Sequence, residues 1–92
     1  MTTIDGSVVP RFAPGVRLQF DQRRNAWVVL SPERVFLPDE PATAILRLID
    51  GSHSLDAIVA DLVRRFEAPA DRISADAAAL LRELSEKGVV TL

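Results

Sequence analysis

Apolar and polar positions change their rhythm once along this chain, from a period of two before residue 38 to a period of three to four after it. Val16, Leu18 and Phe20 alternate with Arg17, Gln19 and Asp21, which predicts a half-buried strand over 16–21. The polar run Gln22-Arg-Arg-Asn25 suits a hairpin loop, because Asn tolerates the left-handed conformation that such loops need. Residues 26–31 are more uniformly apolar, as in a central strand covered on both faces. Pro32 is set for the first central position of a turn, and 34–37 forms a short third strand closed by Pro38. The segment before residue 16 is polar and broken by Pro10, Pro14 and Gly15. It predicts an extended or flexible tail over 1–15, with Phe12 as its one anchor.

From Asp39 the pattern becomes helical. Asp39-Glu-Pro41 is a helix start, and Ala42, Ile45, Leu46, Leu48 and Ile49 bury one side of a helix over 40–50. Ser54 is an N-cap for a helix over 55–67, where Leu55, Ile58, Val59, Leu62, Val63 and Phe66 keep the spacing of one face. Ala68-Pro69 ends it. A third helix over 71–87 carries Ile73, Ala77, Leu80, Leu81 and Leu84 and closes on Lys87-Gly88. Val89–Leu92 is apolar and expected to pack back as an extended segment. Strands followed by helices predict an α+β fold, with an N-terminal three-stranded antiparallel sheet and then a three-helix bundle, winged helix-turn-helix-like in layout. The domain proper is expected over 16–92.

Ninety-two residues, 48% of them hydrophobic, suffice for one core but not for a deep enclosed active site. The net charge of −2 comes from 11 basic and 13 acidic residues mixed along the chain, which leaves no footprint for nucleic acid or an anionic membrane. With no cysteine, disulfides, thiolate metal sites and cysteine nucleophiles are excluded. No segment has the length of a membrane span or the features of a signal peptide, so a cytoplasmic protein is expected.

Candidate chemistry is sparse. His53, the one histidine, lies in a turn without an orienting partner or nucleophile nearby in sequence, which suits a loop residue better than a base or a metal ligand. The carboxylates fall on solvated helix faces, where Asp61 with Arg65 and Glu83 with Lys87 make four-residue pairs. The glycines are isolated, so no phosphate cradle exists. No cofactor and no metal are expected, and the chain reads as a non-enzyme. A winged-helix DNA-binding regulator is an alternative, but the third helix sets Arg72 and Arg82 against Asp71, Asp76, Glu83 and Glu86. Trp27 is expected at the centre of the sheet–helix core. Strand 34–37 is an edge, with Val35 and Leu37 on one face and Arg34 and Phe36 on the other. Either both its faces are covered within the domain, or it docks an incoming peptide strand. Self-pairing through that edge or through the tail makes a structural dimerisation module a third reading.

Pro14-Gly-Val-Arg-Leu18, Trp27, Leu30-Ser-Pro-Glu-Arg-Val-Phe-Leu37, Ala44-Ile-Leu-Arg-Leu-Ile-Asp-Gly51, and Ser54 with Ile58-Val59 and Leu62 occur in an order and spacing that resembles the PqqD family of pyrroloquinoline quinone biosynthesis. The likeness runs from Pro10 to the C-terminus. It implies a peptide chaperone that binds the precursor peptide PqqA and presents it to the radical SAM enzyme PqqE; a monomer in solution is expected, with an edge- or tail-mediated homodimer as the alternative. It further implies that the peptide adds as a strand to Arg34–Leu37 and lies beside the third helix over 76–83. Backbone atoms of Val35, Phe36 and Leu37 would supply the ladder. Phe36, Ala77, Leu80 and Leu81 would line the groove, with either leucine turned to the core, and Asp76 falls in the same stretch. Arg34 and Arg82 would steer an acidic peptide.

Overall fold

The structure, a computed structural model, describes residues 5–92. Residues 1–4, the start of the expected tail, lie outside the described residues. The central sheet has three antiparallel strands in the order β2-β3-β4: β2 (Arg17–Asp21), β3 (Ala26–Leu30) and β4 (Val35–Phe36). β2 and β3 meet through a hairpin whose last loop residue, Asn25, has φ of 52°. Val28 and Val29 point to opposite faces of β3 and are both buried, as a central strand requires.

The three helices are α1 (Glu40–Leu46), α2 (Leu55–Phe66) and α3 (Ala70–Glu86). Asp39 caps α1 by accepting from the Ala42 amide at 2.9 Å, and Ser54 caps α2 by accepting from the Ala57 amide at 3.1 Å. α1 ends at Leu46, four residues short of the expected boundary. There the bonds tighten, with the Leu48 amide donating to the Ile45 carbonyl and the Ile49 amide to that of Leu46. Asp50 then accepts from the Ser52 and His53 amides at 2.8 and 3.0 Å and turns the chain toward α2.

Residues 5–15, expected as a tail, cross the helical layer in extended form. β1 (Arg11–Phe12) pairs antiparallel with β5 (Val90–Thr91), a second and separate ladder. Upstream, the Val8 and Gly6 carbonyls accept from the Leu55 and Asp56 amides at 2.8 and 2.9 Å. Those amides are first-turn donors of α2, which have no partner within the helix. A side chain at Gly6 would meet the Asp56 carboxylate, which would have to swing aside. Pro10 is fully buried.

The core lies between the sheet and the helices. Ile58 and Leu62 of α2, Ala77 and Leu81 of α3, Ile45 and Leu46 of α1, Val29 of β3 and Val89–Val90 form one buried cluster. Each large side chain buried there stabilises the fold by roughly 1.5–3 kcal/mol. Trp27 stands outside it. The indole is half-buried on the sheet surface, edge-on to Phe20 with ring centroids 5.6 Å apart, and it carries the Arg47 guanidinium over its ring. It pairs with Phe20 near the hairpin end of β3, while Val29, two residues further along the strand, reaches the centre that the sequence suggested for Trp27.

Candidate functional site

β4 is the edge strand, and hydrogen-bond parity determines what it offers. The Ser31 amide donates to the Arg34 carbonyl at 3.0 Å, so Ser31 and Arg34 form a bonded pair at the turn. Bonded and non-bonded pairs alternate in an antiparallel ladder. Leu30 and Val35 are therefore a non-bonded pair, and Val29 and Phe36 a bonded one. The amide and carbonyl of Phe36 consequently face β3, while those of Val35 face the open edge. Leu37 continues the parity of Val35. The side chains of Val35 and Leu37 are 55% and 65% exposed. Phe36 points the other way and packs against the core.

Beside this edge lies a cavity of about 250 Å³. One wall is the β3–β4 turn, Ser31 to Arg34, with Phe36; the opposite wall is Lys87, Gly88 and Val89; Pro14 and Val16 close it. The far wall exists because α3 stops abruptly. Gly88 takes φ of 77°, its amide donates to Ser85, and the Val89 amide reaches back to Leu84 at 2.8 Å. The chain reverses there and sends Val89 and Val90 into the core. Arg34 and Lys87 bring positive charge to the cavity against Glu33, and Lys87 is held by Glu83 at 3.1 Å.

Of the side chains expected to line a groove, Arg34 and Phe36 do border this cavity. Ala77 and Leu81 do not. Both are fully buried in the core, because they fall on the stripe of α3 that packs toward α2. Of the two adjacent leucines, Leu81 is thus the core residue and Leu80 is half-buried at its margin. Asp76 is exposed and Arg82 half-buried, and neither lines the cavity. The helix contributes its C-terminal end rather than its middle. Lys87, Gly88 and Val89 were legible as a helix stop, but not as a site wall, because nothing local shows where the reversed chain lands. His53 pairs with Asp50 through Nδ1 at 2.8 Å and lines neither this cavity nor the larger one beside Trp27.

Residues 26–90 match the family described as Coenzyme PQQ synthesis protein D (PqqD). The chain belongs to the PqqD family. A relative from Rhodopseudomonas palustris (strain TIE-1), named PqqA binding protein, is 45% identical over 84 residues, which is 91% of this chain and 79% of the relative. Among solved structures, the solution NMR structure of the PqqD truncation of Methylobacterium extorquens PqqCD has 41% identity and a TM-score of 0.83, covering 99% of this chain and 97% of that one. That domain is described as a functional and stand-alone recognition element for ribosomally synthesized and post-translationally modified peptides. The fold is shared with lasso peptide synthetase B1 complexed with the leader peptide, at a TM-score of 0.78 and 20% identity over 92% of this chain and 100% of that one. Within this PqqD-family chain, the matched segment runs from the start of β3 into β5. It contains the β4 edge and most of the cavity wall, while β1 and β2 precede it. Among the described residues, no helix is long and apolar enough to cross a membrane.

Proposed function

We propose that this chain is a non-catalytic peptide chaperone that binds the precursor peptide PqqA by strand addition at β4 and presents it to the radical SAM enzyme PqqE. The observation that carries the reading is the outward-facing main chain of Val35, set between exposed side chains and a cavity. An incoming strand gains main-chain hydrogen bonds at Val35 and Leu37. Its alternate side chains fall toward the cavity beside Phe36 or over Val35 and Leu37. The relatives' name supports this ligand, and the M. extorquens domain's description as a recognition element supports a peptide-binding role. A ribosomally made precursor is present in the cytoplasm, which is where the proposed encounter takes place. The bound unit is one monomer with one peptide, because a second copy paired at β4 would occupy the same edge.

Calorimetric titration with the PqqA peptide tests this reading. Saturable one-to-one binding is expected. Val35→Pro removes one outward amide without touching the β3 ladder, and edge strands tolerate such a proline. Losing a bond worth about 0.5–1.5 kcal/mol predicts roughly two- to tenfold weaker binding. Equal affinity in the variant would show that the peptide does not pair with β4.

A further inference from the structure

The larger cavity, about 460 Å³, takes no part in the reading above. It shares only Val16 with the cavity beside β4. Its apolar walls come from four places in the chain: Phe12 of β1, Leu18 of β2, Trp27 of β3, and Leu46 with Ile49 at the end of α1. Two arginines, Arg17 and Arg47, complete the lining, and no carboxylate does.

Arg47 is the informative member. Its guanidinium carbon lies 4.8 Å from the centroid of the Trp27 ring, and Phe20 holds that ring from the side. Stacking on an aromatic face orients the planar guanidinium and leaves its N–H edge free to donate. Among the described residues, no carboxylate lies within ion-pairing distance of Arg47 or Arg17. Asp50, three residues after Arg47, is engaged by His53 instead. An oriented fork of donors matches a carboxylate in bidentate fashion. The apolar walls match a hydrocarbon or aromatic body, and the volume falls in the range of small-molecule sites.

We propose that this cavity is a second binding site, for an aromatic or branched aliphatic carboxylate. The carboxylate sits on Arg47, and the apolar body lies against Trp27, Leu18 and Ile49. The same chemistry is presented by a free organic acid and by an acidic residue beside an apolar one in a peptide. The site does not depend on strand addition at β4, so the two readings stand or fall separately.

Trp27 is the only tryptophan and the chain has no tyrosine, so its fluorescence reports directly on this cavity. The full chain is titrated with 4-phenylbutyrate, with 4-phenylbutanol as the uncharged control and acetate as the control without an apolar body. Acetyl-Glu-Phe-amide serves as the peptide form. Saturable quenching by phenylbutyrate or the dipeptide is expected, at least fivefold tighter than by the alcohol, with no response to acetate. Tighter binding of the dipeptide assigns the site to a peptide segment, and tighter binding of phenylbutyrate to a free acid. Arg47→Met keeps an apolar cover on the ring and should weaken the preferred ligand at least fivefold, with Arg82→Met unchanged. Val35→Pro should leave this binding intact. Equal binding of acid and alcohol by the unaltered chain would overturn the proposal, as would no binding of either acid or unchanged affinity in Arg47→Met.

Discussion

Val35 and Phe36 are neighbours with opposite tasks. Alternation along a strand sends Phe36 to the core and leaves Val35 in solvent, so the two positions fail differently when changed. Phe36→Ala should lower stability by about 2 kcal/mol, less than the loss expected for a wholly buried phenylalanine, as a shift in the urea midpoint would show. Val35→Pro should leave stability nearly unchanged and act on the peptide. The period of two was enough to separate these side chains into two faces. It did not say which face looks inward, because that depends on where the helices land. Trp27 shows the same limit: it was expected in the core, yet it stands near the hairpin end of β3 with Arg47 over its ring. Leu80 and Leu81 were likewise indistinguishable until α3 was docked. At the loop before α2, the Asp50 carboxyl is held at about 2, below its ordinary 3.8, chiefly by its hydrogen bond to His53 and then by the Ser52 and His53 amides. A lowered carboxyl pKa supports the folded state fully above the unfolded value and stops doing so as pH falls through the folded one. The Asp50 carboxyl-carbon resonance should therefore keep its ionised position down to about pH 4 and move only on further acidification. Movement well above that range would show that Asp50 does not cap this turn.

At the scale of elements, the helix caps were the most legible features. Asp39, Ser54 and Gly88 each stand where a helix must begin or end, and each does so for a local reason that needs no tertiary contact. The β1–β5 ladder was not legible. Two residues carry no period, and their partners are the length of the chain away. The early stop of α1 was also hidden, because Leu48 and Ile49 continue the helical spacing while their amides already bond three residues back. Gly88 is the element-scale residue with a functional consequence, since its turn builds one wall of the cavity. A side chain there meets nothing within 4 Å, so the only cost is conformational. Gly88→Ala should destabilise by about 1 kcal/mol, and Gly88→Asn by less, on urea denaturation. A loss well above that would mean that a contact, rather than the backbone angle, makes glycine necessary.

For the whole molecule, the segment over 5–15 belongs to the fold. It bonds the first turn of α2, pairs with β5 and buries Pro10, so the sequence-based start of the domain at residue 16 cuts through a structural unit. A chain lacking residues 1–12 should lose roughly 3–5 kcal/mol, from two hydrogen bonds to helix donors, the ladder and the buried apolar surface. Unchanged urea denaturation would show that the segment is not held as described. The sheet keeps two open edges, β2 and β4, and the proposed docking edge is β4. Amide exchange by NMR on the labelled chain, with and without the PqqA peptide, tests that choice most directly. Slowed exchange at Val35 and Leu37 on binding, with the outward amides of Leu18 and Phe20 on β2 unaffected, is the predicted result. Protection at Leu18 and Phe20 with Val35 and Leu37 unchanged would contradict it and move the docking edge to the other side of the sheet.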